Sequence, residues 1–109
     1  MSPNRGQPAD LRDLADIDRV VHEPARLIIL IYLYSVEKAD FTFLLNATGL
    51  TWGNLSSHIS KLEEAGYVDV EKGCVGKKPH TLLKLTPAGH QAVDTYRQTM
   101  QAALGSRKR

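Results

Sequence analysis

The sequence predicts an α+β domain that is mostly α: several helices, one two-stranded β-hairpin and a long closing helix. Three observations carry this. Before Gly66, apolar residues recur at spacings of three and four over successive segments, the period of helices with one buried stripe. Over residues 67–72 the pattern changes to alternation, with Val68 and Val70 on one face, and residues 81–85 supply a returning strand. After Thr86-Pro87 the helical period resumes.

The elements follow in order. Residues 1–8 are rich in Pro, Gly and polar side chains and are expected to form a flexible tail. Residues 9–21 place Leu11, Leu14, Ile17 and Val21 on one helical stripe. Pro24 suits the first turn of a second helix, where its missing N–H costs nothing. Residues 25–33 are apolar almost all round, which predicts a central buried helix, a buried strand being the alternative. Asp40 is a good N-cap for a short helix through Leu44, Leu45 and Ala47, and Gly49 ends it. Thr51 caps the next helix, whose stripe is Leu55, Ile59 and Leu62, and Gly66 closes it.

In the hairpin, Val68 and Val70 share one face of the outgoing strand, and Leu83 and Leu85 point inward on the return. Residues 73–80 (Gly-Cys-Val-Gly-Lys-Lys-Pro-His) are turn-rich and basic and predict a long tip. Thr86 caps and Pro87 opens a last helix running to about Leu104, with Ala88, Ala92, Tyr96, Met100 and Ala103 on its stripe. The expected domain therefore spans residues 9–104, followed by a basic tail, 105–109.

Composition bounds the function. The chain has 109 residues and 42% hydrophobic residues, enough for one globular domain and too many for wholesale disorder. Net charge +2 and a pI of about 8.8 favour a polyanionic partner only weakly, so the placement of charge has to decide. The single cysteine, Cys74, excludes an intramolecular disulfide and suits a reducing cytoplasm, the expected location. The first 16 residues are polar and read as no signal peptide, and no apolar run approaches the ~18–20 residues of a membrane span.

A short helix, a tight glycine turn and an amphipathic helix make a helix-turn-helix, and the basic hairpin that follows gives it a β-wing. The second helix of the pair presents Gly53, Asn54, Ser57, Ser60, Lys61 and Glu64 opposite its apolar stripe. Small hydrogen-bonding side chains near its start allow close approach to base edges in the major groove: Asn54 matches adenine N6/N7 and Ser57 suits several bases. The DNA-facing set is therefore Thr51, Trp52, Gly53, Asn54, Ser56, Ser57 and Lys61, with Lys72, Lys77, Lys78 and His80 from the wing. Two lysines on a stiffened turn reach phosphates or the minor groove, although lysines also protect a sheet edge. Trp52 is expected to be partly buried, with a DNA-backbone contact as the alternative, and His58 to be packed beside the apolar stripe.

The residues at this point resemble a known family. Residues 22–30 are similar to the opening helix of winged-helix regulators, residues 50–68 to their recognition helix and first wing strand, and residues 85–89 (Leu-Thr-Pro-Ala-Gly) to the signature closing the wing. The resemblance, over residues 20–100, is to MarR-like and ArsR-like transcriptional regulators and specifically to the short winged helix DNA-binding domain family. It implies a dimer whose terminal helices pack together and whose two recognition helices enter successive major grooves. The paired cysteines of ArsR-like metal sensors are missing, and His90 with Asp94, one turn apart, are too few ligands for a metal.

The expected function is sequence-specific binding of double-stranded DNA by a homodimeric transcriptional regulator, with no cofactor. Leu11, Leu14 and Ile17 on the first helix and Ala92, Val93, Tyr96, Met100 and Ala103 on the last form the expected dimerisation surface. The alternative is a winged-helix module that binds a partner protein; salt-sensitive affinity for duplex DNA separates the two. No nucleophile–base pair, phosphate-binding glycine loop or metal cluster is visible, so an enzyme is not expected. A small-molecule effector, if one exists, would bind in the dimer interface.

Overall fold

The computed structural model describes residues 9–105, with side chains from Arg12 onward. The elements run α1 (Ala9–Ala15), α2 (Pro24–Tyr34), β1 (Ala39–Asp40), α3 (Phe41–Thr48), α4 (Trp52–Glu64), β2 (Val68–Val75), β3 (Lys78–Leu85) and α5 (Pro87–Gly105). The expected tails over 1–8 and 106–109 lie outside the described residues; Gly105 belongs to α5.

Local chemistry sets the helix ends as anticipated. The Asp40 carboxylate accepts from the Thr42 amide at 2.6 Å, Thr51 Oγ1 from the Asn54 amide at 3.1 Å and Thr86 Oγ1 from the Gly89 amide at 2.9 Å. Each satisfies an amide that the first helical turn leaves without a partner. Glu23, which the sequence did not mark as a cap, does the same for Arg26 at 2.8 Å, with Pro24 just behind it.

The core joins Ile29, Leu30 and Leu33 of α2 to Leu44, Leu55, Leu62, Val68 and Leu83, all fully buried. Each such side chain contributes roughly 1.5–3 kcal/mol by leaving water. Leu83 and Leu85 face inward as expected; Val68 is buried and Val70 half-buried.

Four expectations are corrected. The first helix ends at Ala15, not near Val21. Asp18 accepts from the amides of Val20 and Val21 (2.9 and 3.3 Å), which turns the chain, and its other oxygen takes the Tyr67 hydroxyl. Tyr67 is consequently pushed up to about 12, by that hydrogen bond first and by burial second. Val21 still reaches the core, from a turn.

The sheet has three strands, not two, in the order β1-β3-β2: Ala39 pairs with Leu83 and Asp40 with Leu82. A two-residue strand shows no period of its own, so the sequence could not signal it.

The hairpin tip is short. The ladder continues to Val75↔Lys78, leaving Gly76 and Lys77 as a two-residue turn. Gly76 takes φ +65° while Lys77 keeps a negative φ, the sign pattern of a II′ hairpin turn. Pro79 is tolerated in β3 because β1 pairs only with Leu82 and Leu83, leaving that side of the strand open.

Finally, α2 is not buried all round. Ile28 is 52% and Ile31 56% exposed, so one face of this apolar helix is uncovered.

The Leu-Thr-Pro-Ala-Gly stretch has a packing reason. A Cβ on Gly89 would stand 2.3 Å from the Tyr67 carbonyl oxygen and 2.6 Å from Leu85 Cδ1. That carbonyl also accepts from the Thr86 amide at 3.0 Å, and Thr86 Oγ1 donates to the Gly66 carbonyl at 2.6 Å. Glycine thus lets α5 start directly against the turn that joins α4 to β2.

Candidate nucleic-acid interface

Helix α4 is held from below by Leu55, Ile59 and Leu62. Its stripe leaves Thr51, Gly53, Asn54, Ser57, Ser60, Lys61 and Glu64 exposed, the face the sequence indicated. Ser56 is half-buried and turns toward the wing, in a recess of about 220 Å³ shared with Trp52, Glu63, Lys72 and Thr81.

Trp52 is not partly buried: it is 64% exposed. Phe41 occupies the core position beneath it, and the two rings meet at 4.5 Å between centroids. Trp52 therefore stands as an exposed aromatic at the start of α4, on its wing side.

His58 is packed, as expected. Its Nδ1 lies 3.1 Å from Arg26 Nη1 and 3.9 Å from Glu23 Oε1. Burial pulls the Glu23 carboxyl upward, but the Arg26 amide and the charges of His58 and Arg26 outweigh it, so its pKa falls below the ordinary value.

In the wing, Lys72, Lys77 and Lys78 are exposed. His80 is engaged inside the protein, its Nε2 3.0 Å from the second oxygen of Asp40. One carboxylate thus caps α3 and ties the wing to it. Burial raises the Asp40 pKa, but the Thr42 amide and His80 lower it more, and the net shift is downward. Lys38 and Glu71 make a second tie, at 3.1 Å.

The residues expected at a dimer contact divide. Val93 is buried in the core cluster and Ala103 is buried within the chain, so neither is available as exposed surface. Leu14, Ile17, Ala92, Tyr96 and Met100 are half-buried; the Leu11 side chain lies outside the described residues. Tyr96 hydroxyl pairs with His22 Nδ1 at 2.9 Å. His90 packs on the Tyr34 ring, and Asp94 accepts the Tyr34 hydroxyl at 2.6 Å.

The sequence missed the contribution of α2. Leu27, Ile31 and Tyr34 join Tyr96, Met100 and Leu104 of α5 around a groove of about 850 Å³, where Arg97 is the only charged lining residue among the described residues. An all-apolar helix in so small a domain is the signal that could have revealed it, since such a domain has little with which to cover every side.

Similarity to known proteins agrees with this architecture. An uncharacterized protein of Methanocaldococcus jannaschii is 35% identical over 78 residues, covering 72% of this chain and 85% of the relative. The structure of a transcriptional regulator homologue from Pyrococcus horikoshii OT3 superposes with a TM-score of 0.80 at 29% identity, covering 89% of this chain and 95% of that one. Two more distant structures share the fold. NadR in complex with 4-hydroxyphenylacetate has a TM-score of 0.67 at 19% identity, covering 90% of this chain and 70% of NadR. An ArsR family transcriptional regulator has a TM-score of 0.56 at 20% identity, covering 93% and 96%. Residues 25–104, from the opening of α2 to the end of α5, match the family described as winged helix DNA-binding domain, and the chain belongs to that family.

Proposed function

We propose that this chain is a sequence-specific regulator of transcription that binds double-stranded DNA as a homodimer. The observation that carries the reading is the face of α4: small hydrogen-bonding residues exposed around Asn54 and Ser57, a firm apolar underside, and the lysine-bearing wing beside it. In this reading α4 enters the major groove, Asn54 and Ser57 meet base edges, and Lys72, Lys77 and Lys78 meet phosphates or the minor groove. Trp52, exposed at the helix start, contacts sugar and backbone.

The uncovered apolar face of α2 and α5 supports the second half of the proposal. Ile28, Ile31 and Leu104 are each more than half exposed beside the groove, a surface that a second copy would cover. A two-fold dimer would present two α4 helices to half-sites about one helical turn apart. The groove, apolar but for Arg97 among the described lining residues, is also where a small effector would fit; a protein of this fold, NadR, is known in complex with 4-hydroxyphenylacetate.

The test is selection of bound sequences from a random duplex pool. Enrichment of an inverted repeat supports a dimeric, sequence-reading protein. A pool without enrichment, combined with affinity insensitive to salt, refutes it.

A further inference from the structure

Helix α4 has two flanks. The wing stands on one, around Ser56 and Glu63. The other, around Asn54, His58 and Lys61, faces the turn before α2 and the first residues of α2. There a shallow cleft of about 450 Å³ is lined by Arg19, Val20, Arg26, Lys61, Glu64 and Ala65. It gathers three cations and one acid. Among the described residues, Arg19 and Lys61 form no ion pair with a carboxylate, while the charge of Arg26 is felt by Glu23.

Arg26 builds this cleft. Its Nε donates to the Val20 carbonyl at 2.7 Å, its Nη2 to the Arg19 carbonyl at 3.3 Å, and its Nη1 points at His58 Nδ1. One guanidinium therefore ties the turn carrying Arg19 to the helix carrying Lys61. The fold spends its fixed cation on position, while the Arg19 and Lys61 side chains stay exposed beside it.

We propose that this cleft is a second phosphate-binding site, in which Arg19 and Lys61 hold a phosphodiester of the DNA strand opposite the one met by the wing. The reason is geometric. An α-helix of about 10–12 Å diameter nearly fills a major groove of about 12 Å, so a helix seated there has one sugar–phosphate strand along each flank. The wing lysines serve one strand, and the cleft serves the other. Arg26 is a positioning residue in this arrangement. The inference rests on the DNA-binding reading above; it adds Arg19 to the DNA-facing residues and assigns Lys61, already among them, to the strand away from the wing.

The test uses the full chain and a fluorescein-labelled mixed-sequence duplex of about 24 base pairs, with affinity measured between about 50 and 200 mM salt. Arg19→Ala with Lys61→Ala should flatten the slope of log K against log salt by about 0.9 per cation removed, additively with Lys77→Ala and Lys78→Ala. Glu64→Gln, which removes the acid from the cleft, should tighten binding. Both changes lie at exposed side chains, and an unchanged melting temperature verifies folding. A slope that responds to the wing pair and ignores the Arg19/Lys61 pair overturns the second site and leaves DNA binding standing. A wild-type affinity that does not depend on salt overturns the DNA-binding reading itself.

Discussion

The two exposed regions of this molecule differ in kind. Around α4 and the wing, the surface consists of small polar side chains and lysines, and the packing beneath is tied down by caps and ion pairs at Thr51, Asp40 and His80. Around α2 and α5, the surface is apolar: Ile28, Ile31 and Leu104 stand in solvent, and among the described residues Arg97 is the single cation lining the groove there. A surface of the first kind keeps its waters until a polyanion displaces them and releases counterions. A surface of the second kind is unfavourable in water whether or not DNA is present, so its covering is a matter of assembly. In the proposed reading, recognition belongs to one end of the fold and association to the other.

The sharpest way to break that division is Ile31→Glu. The side chain is already 56% exposed, so the monomer should fold normally, as helical circular dichroism would check. Sedimentation equilibrium should shift from dimer to the 12.1 kDa monomer. Operator affinity should fall by about 10³-fold or more, since a lone half-site forfeits most of the margin over non-specific DNA. A variant that remains dimeric would move the interface away from this face.

Next in size is Gly89→Ala, at the seam where α5 starts against the turn after α4. A methyl 2.3 Å from the Tyr67 carbonyl forces a shift, and overpacking of this kind costs about 1–3 kcal/mol. Denaturant unfolding would read the loss; an unchanged midpoint would mean that α5 can slide, and that the two ends are less rigidly joined.

Asn54→Ala tests the recognition end alone. It should relax preference at one base pair by about 1–3 kcal/mol per half-site while non-specific affinity holds. A uniform loss over all duplexes would limit Asn54 to the backbone.

The smallest effect is at the wing's attachment. The depressed Asp40 pKa means that its stabilisation is complete above the ordinary aspartate range and is lost as pH falls below about 4 toward the folded value. His80→Ala should shrink that acid-side loss in a pH series of unfolding curves. An identical profile would show that the backbone amides of Thr42 and Phe43 hold the carboxylate without His80.

Much of this was legible in the chain. Asp40, Thr51 and Thr86 act as caps within a few residues of their targets, and Leu55, Ile59 and Leu62 define one face of α4 wherever that helix sits. The exposed candidates Asn54, Ser57, Lys77 and Lys78 follow from those same faces and turns. Such features depend on dihedrals and periods inside a short window, which the sequence carries directly.

Tertiary structure decided the rest, because each remaining feature joins residues far apart in the chain. Asp18 caps the turn after the first helix, and its second oxygen accepts from Tyr67, 49 residues away. The strand at Ala39–Asp40 exists only because Leu82 and Leu83 lie beside it. Phe41 is buried and Trp52 is left exposed on its ring, a choice made by packing and not by either residue's local sequence. Arg26 and His58 meet across 32 residues to build a flank of α4 that neither segment signals alone. Propensity and period fix the face a segment offers; which face is then covered, and by what, depends on the packing of distant segments against one another.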